Sequence, residues 1–193
     1  MIRPATAADA PTLSQLIILA MGELAPKFVN GRDVNEAGSL FELFAGKTGN
    51  QYSYENALVY QDESGLCGMI IGYDGAKLAA LRGPFLQYIK ATYGFEQPVE
   101  DETQPGEYYI DCLSVFPGHQ GKGIGKKLIK AFAEYAADKG YFTTGLLVSK
   151  NNPKAKSMYT SLGFTVVDER LFVGDMYERL QYRFQKKIGR AHV

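Results

Sequence analysis

The chain has 193 residues, with 21 Lys and Arg against 21 Asp and Glu, so its formal net charge is zero. Apolar residues make up 46% and charged residues 22%, ordinary globular usage that argues against wholesale disorder. Neutrality argues against a general nucleic-acid coat, which would be basic, and the length suits one domain, plain or elaborated, rather than two large ones.

Residues 1–3 begin a short strand through Ile2. Thr6 or Asp9 is placed to cap a helix from about residue 8 to 24, where Leu13, Leu16, Ile17 and Ala20 recur at helical spacing and Gly22 and Pro26 mark the end. Residues 35–46 predict a second short helix with Leu40, Phe41 and Phe44 on one face. Residues 57–61 and 67–73 read as two strands of a hairpin turned at 62–65. The stretch 74–107 is irregular. It holds a helix-like apolar piece (Leu78, Leu81, Phe85, Tyr88, Ile89) and then an acidic run, Glu96, Glu100, Asp101, Glu102 and Glu107, without Lys or Arg; a solvated loop is expected there.

The next unit is better defined. Residues 108–115 form a strand ended by Pro117 and Gly118. Ile124, Leu128, Ile129, Phe132, Tyr135 and Ala136 lie on one face of a helix that stops at Gly140. Residues 143–148 are a further strand. Asn152 caps another helix, with Pro153 in the first turn, where its missing N–H costs nothing. Ala155, Met158, Tyr159 and Leu162 make that helix's apolar stripe and Gly163 ends it. Residues 164–169 and 176–184 close the chain as strands around an ambiguous joint at 171–175, and the last residues read as a frayed tail. No internal repeat or linker interrupts this order.

Cys67 and Cys112 sit in apolar, strand-like runs, and the histidines are His119 and His192 alone. Neither a metal site nor a disulfide framework is expected; two buried thiols are. The opening residues lack the order of a signal peptide, and no apolar run approaches the ~20 residues of a membrane span. A cytoplasmic protein without membrane or nucleic-acid partners is the expectation.

The loop from Gly118 to Gly125, Gly-His-Gln-Gly-Lys-Gly-Ile-Gly, follows a strand and opens an amphipathic helix. Glycines there let successive N–H groups point into one hollow beside the positive end of the helix dipole, an anion site of pyrophosphate size. A P-loop is excluded because Gly123 is followed by Ile124 rather than Lys, and a dinucleotide fingerprint because Lys126 stands where glycine is needed. The remaining pattern, Gln120-x-x-Gly123-x-Gly125, resembles the acyl-CoA pyrophosphate loop of the GNAT superfamily of N-acetyltransferases. Two further segments match: Asn152-x-x-Ala155-x-x-x-Tyr159-x-x-x-Gly163-Phe164, and the opening Ile2-Arg3 to Asp9 followed by Leu13 and Leu16. The resemblance covers about residues 1–24 and 57–184, with a poorly matching insertion at 74–107.

The resemblance implies an α/β (α+β) fold in which a central mixed, mostly antiparallel sheet carries helices on both faces. One domain over 1–185 and a flexible tail at 186–193 are expected. Two parallel strands, 108–115 and 143–149, would splay apart to admit the pantetheine arm of acetyl-CoA. The resemblance assigns the main chain of Leu113 and Val115 to the acetyl and pantetheine groups. It assigns Gln120, Gly121, Lys122, Gly123, Ile124, Gly125 and Lys126 to the pyrophosphate loop, and Asn152 to the pantetheine arm. Lys150, Lys154 and Lys156 cluster nearby and are candidates for the ribose phosphate. Tyr159 stands where the family places the proton donor to the departing thiolate.

Many relatives carry an acid near the position of Tyr109, a departure in this chain. Asp111, two residues on and on the same face as Tyr109 and Leu113 in a regular strand, is the candidate base, with Glu107 as runner-up. The implied activity is acetyl transfer from acetyl-CoA to a primary amine of a small molecule or peptide. The alternative, from a different class, is a catalytically silent acyl-CoA-binding module. The resemblance also allows a homodimer, and the acidic run 96–107 points to a cationic acceptor.

Overall fold

Local chemistry sets the element boundaries of the computed structural model, which describes residues 1–184. After β1 (Ile2–Pro4), Gly22 with φ +53° ends α1 (Ala10–Met21) and separates it from the short α2 (Leu24–Phe28), so the single helix expected over 8–24 is two. The Asp33 side chain accepts from the N–H groups of Asn35 and Glu36 and so starts α3 (Val34–Ala45). The hairpin β2 (Ala57–Asp62) and β3 (Gly65–Asp74) turns where expected.

In the irregular stretch the helix-like piece is borne out and extends further, while the acidic half departs from expectation. Residues 78–93 are a full helix, α4 (Leu78–Tyr93), despite Pro84 inside it. Proline costs about 3 kcal/mol in a helix interior. Here Pro84 lies on the exposed side while the next residue, Phe85, packs its ring against Phe28, Phe41, Phe44 and Tyr52 at centroid distances of 5.3, 5.8, 5.1 and 4.8 Å. That aromatic packing offsets the lost helical bond. Most of the acidic run is tied down, with Glu96 and Asp101 left exposed. Glu102 and Glu107 are 6% and 1% exposed, Asp101 pairs with Arg82 at 2.6 Å, and Glu100 accepts from the Val173 N–H at 2.9 Å.

The remaining elements are β4 (Tyr108–Val115), α5 (Ile124–Asp138), β5 (Thr143–Ser149), α6 (Pro153–Ser161), β6 (Thr165–Phe172) and β7 (Asp175–Arg183). The sheet order is β1-β2-β3-β4-β5-β7-β6, and every neighbouring pair is antiparallel except β4 and β5. One apolar cluster joins one face of the sheet to α1, α3 and α4 through Leu16, Phe41 and Phe85; another joins the opposite face to α5 and α6 through Leu128, Phe132 and Tyr159. The mixed sheet with helices on both faces is the architecture the sequence implied.

Two details position the functional region. The parallel pairing of β4 with β5 covers only Tyr108 with Thr144, Tyr109 with Gly145 and Ile110 with Leu146; beyond it the strands part. At the same level β4 carries a bulge: Ile110 pairs with Gly72 and Cys112 with Ile71, leaving Asp111 as the extra residue. The bulge reverses the alternation. Tyr108 and Ile110 face the α5 side, Cys112 and Ser114 face α1, and Leu113 and Val115 return to the α5 side. The expectation that Asp111 and Leu113 share a face is therefore corrected.

The ambiguous joint is a two-residue hairpin turn, Val173 and Gly174, with φ of +46° and +84°. Both central residues lie at positive φ, as a tight hairpin turn needs, and valine is a costly choice there. The expected tail at 186–193 lies outside the described residues.

Candidate active site

The fork between β4 and β5 opens into a pocket of about 490 Å³. Its wall is completed by the α1–α2 turn, the start of α6 and the β6–β7 hairpin, and it gathers Asp111, Leu113, Asn152 and Tyr159 from the predicted set. Cys112 and Glu102 also line it. A broader hollow of about 710 Å³ beside α3 gathers none of them.

The bulge aims Asp111 into a polar nest. Its Oδ2 accepts from the Tyr73 hydroxyl at 2.5 Å and the Gln51 amide at 3.2 Å, and its Oδ1 from the Cys112 thiol at 3.3 Å. Burial pushes the Asp111 carboxyl above its usual range, against the pull of those hydrogen bonds. Beside it, Glu102 Oε2 accepts from the Tyr109 hydroxyl at 3.2 Å. Burial, and then the Asp111 charge, push Glu102 well above the ordinary carboxylate range. Of the two carboxyls, Glu102 is the one whose surroundings hold a proton more firmly.

Tyr159, on α6, is 8% exposed and packs edge-on against Phe164 at a centroid distance of 5.6 Å. Its hydroxyl has no hydrogen-bond partner among the described residues, and burial pushes its pKa up, so the phenol holds its proton through the neutral range. Asn152 caps α6, its Oδ1 accepting from the Ala155 N–H at 3.0 Å, which leaves its amide N–H₂ unused.

Past the end of β4, Gln120 Nε2 donates to the Val115 carbonyl at 2.9 Å and closes the loop into shape. Gly121 and Gly123 hold φ of +78° and +75°, and Gly123 caps α5. A Cβ at either would meet no protein atom within 4 Å, so the hollow they frame is open to a ligand rather than filled by packing. Ile124 anchors the helix start in the core. Gly125 lies against α6, where a Cβ would stand 3.5 Å from Met158 Sδ. Lys122 and Lys126 are exposed at the rim. A cradle of backbone N–H groups at a helix N-terminus with lysines around it fits a pyrophosphate.

Other candidates fall elsewhere. Glu107 is not at the strand mouth; its Oε2 is held by Arg179 Nη1 at 3.1 Å and Gln181 Nε2 at 2.8 Å, buried beneath Gly145, where any side chain would overlap it. Lys150 and Lys156 are committed to ion pairs with Glu169 and Glu178. Sequence reasoning missed Gln51 and Tyr73 altogether and saw Glu102 only as one of a charge run; a buried partner from a distant loop leaves no periodic signal. Asp62 and Cys67 of the β2–β3 hairpin and His119 of the glycine loop bring ligand atoms within 4.8 Å of one another, outside the pocket. No helix among the described residues is long and apolar enough to cross a membrane.

Comparison with known proteins agrees with this geometry. The profile of the acetyltransferase (GNAT) family matches residues 38–164. Thialysine N-epsilon-acetyltransferase of Sus scrofa is 44% identical over 55 residues, 28% of this chain and 32% of that protein, so the match spans about a third of the relative's length. A crystal structure described as an acetyltransferase superposes with a TM-score of 0.78 at 27% identity, covering 96% of this chain and 100% of that one. An N-acetyltransferase from Staphylococcus aureus Mu50 has the same fold, with a TM-score of 0.83 at 23% identity over 94% of this chain and 100% of that one. With two thirds of its length matched by the family profile and the forked sheet and glycine loop in place, the chain belongs to the acetyltransferase (GNAT) family.

Proposed function

We propose that the protein transfers an acetyl group from acetyl-CoA to a primary amine of a small molecule by direct attack. The observation that carries this is the fork pocket. Carboxyls at Asp111 and Glu102 and a protonated phenol at Tyr159 line one cavity, beside a β4 edge without ladder partners beyond Ile110. The glycine hollow follows directly from that strand.

In this reading the backbone of Leu113 and Val115, on the side of β4 that no longer pairs with β5, holds the acetyl carbonyl and the pantetheine arm. Asn152 uses its free amide on the same arm. Gln120 shapes the loop, and the N–H groups from Gly121 to Gly125 take the pyrophosphate with Lys122 and Lys126 at its edge. At neutral pH an amine of pKa ~10.4 is only about one part in a thousand unprotonated. Asp111 takes one proton from the ammonium; the amine nitrogen bonds to the acetyl carbon, the carbon–sulfur bond breaks as the Tyr159 hydroxyl gives its proton to the leaving sulfur, and the second nitrogen proton, shed as the amide forms, restores the Tyr159 hydroxyl. Burial raises the Asp111 carboxyl above the ordinary carboxylate range, which strengthens it as a proton acceptor.

Release of free CoA thiol from acetyl-CoA, followed across a panel of amines, tests the proposal together with calorimetry of acetyl-CoA binding. Turnover with at least one amine is expected. Tight acetyl-CoA binding with no thiol release for any amine would assign the chain to silent CoA binding instead.

A further inference from the structure

The acceptor side of the pocket carries more carboxyl groups than one reacting amine needs. Among the described residues Glu23, Glu102, Asp111 and Asp175 line the pocket, and no Lys, Arg or His does. Asp175 is satisfied by Lys27 at 2.8 Å. Glu102 and Asp111 make no ion pair with a described residue. The nearby cation, Arg82, is spent on Asp101 at 2.6 Å and on the Glu100 carbonyl at 2.9 Å.

Two further observations point to a ligand. Glu102 is 6% exposed, yet only its Oε2 has a hydrogen bond; Oε1 has no partner among the described residues. Gln51 is 3% exposed, donates to Asp111, and leaves its own Oε1 unpartnered. Buried carboxylates are ordinarily paired, because an uncompensated charge out of water is costly. The rings of Tyr52, Tyr109, Phe172 and Tyr177 complete this part of the wall, and aromatic faces attract ammonium groups.

We propose that the acceptor is a short dicationic amine, with one ammonium held by Glu102 while its other amino group meets Asp111 and reacts. The inference rests on the acetyl-transfer reading and deepens it. It also gives the stretch 94–107 a purpose, since that segment delivers Glu102 and ties it down through its neighbours Glu100 and Asp101. The acceptor is short because both carboxyls share one pocket of about 490 Å³ with the end of the pantetheine arm.

Protonation supplies a signature. Glu102 is faced by Asp111 and Tyr109 from β4, Arg82 from α4, Asp101 from its own segment, Tyr52 and Tyr73, and Tyr177 from β7. Burial and the Asp111 charge keep its proton on in the empty pocket. An ammonium taking that place expels the proton.

The test compares kcat/KM for 1,4-diaminobutane and n-butylamine in the wild type and in Glu102→Gln. One charge-assisted contact predicts a preference for the diamine of roughly 10- to 100-fold, falling toward unity in Glu102→Gln. Calorimetry of 1,4-diaminobutane binding to the CoA-loaded protein, in two buffers of different ionisation heat, reads the expelled proton. Release approaching one proton per diamine is expected in the wild type and none in the variant. Equal kcat/KM for the two amines in the wild type overturns the inference while leaving acetyl transfer intact. Diamine binding with proton release but no turnover supports the recognition and defeats the transfer reading. Binding without proton release overturns the role of Glu102 without recourse to a variant.

Discussion

Tyr159→Phe separates catalysis from packing because of how the side chain sits. The ring is 8% exposed and stacks edge-on against Phe164 at 5.6 Å, and phenylalanine keeps both features. The hydroxyl makes no hydrogen bond with a described residue, so its removal leaves no buried donor or acceptor stranded. Stability should therefore change by less than about 0.5 kcal/mol. Turnover should respond very differently. A general acid contributes roughly 10²–10⁴ in rate, equivalent to about 3–5 kcal/mol of transition-state stabilisation. Since burial keeps the phenol protonated, that loss should be the same across the neutral pH range. Steady-state thiol release gives kcat, calorimetry gives acetyl-CoA affinity, and urea unfolding gives stability. A kcat within about twofold of wild type, with the fold intact, would refute the proton-donor role and return Tyr159 to core packing.

Gly123→Val places a branched side chain at φ +75° and into the open hollow, where no protein atom lies within 4 Å. Acetyl-CoA binding should be lost with secondary structure preserved, and unchanged calorimetric affinity would remove the loop from the site. Asp111→Asn should abolish turnover at neutral pH and regain part of it as pH rises toward the amine pKa of ~10.4, where the acceptor is already deprotonated. In the wild type, kcat/KM should fall as pH drops through the raised Asp111 value, above the ordinary carboxylate range. A loss that is flat with pH would assign Asp111 to positioning instead. Arg179→Ala leaves Glu107, 1% exposed, without a cation, and should cost roughly 3–5 kcal/mol in urea unfolding. A cost below about 1 kcal/mol would contradict a structural role for that pair.

The most legible parts of the molecule were those whose conformation is decided within a few residues. Gly121 and Gly123 announce positive φ, the stripe from Ile124 to Ala136 announces a helix face, and Asn152 before Pro153 announces a helix start. Together they delivered the loop, the helix behind it and the Tyr159 position, and with them the family. The pattern read less well wherever a long-range contact overrode a local rule. Residues 78–89 read only as a helix-like piece within an irregular stretch, yet four aromatic rings from other segments hold Phe85 and make 78–93 a full helix with Pro84 inside it.

By its sequence alone this chain determined the order of its strands and of most of its helices, the forked sheet through family likeness, and the glycine hollow through backbone freedom. Tertiary structure alone decided which acids matter. Glu102 and Glu107 stand in one polar run, but Glu107 meets Arg179, 72 residues away, while Glu102 turns into the pocket and forms no ion pair with a described residue. A bulge against Ile71 and Gly72 re-aims Asp111, and neither residue marks it locally. Val173 occupies a left-handed turn that its own side chain disfavours. It is held there by Glu100 on its N–H, Lys27 on its carbonyl and a buried apolar site for its side chain. Periodicity records which face of an element is apolar; the identity of a buried charge's partner, and hence its protonation, depends on groups brought together only when the chain has folded.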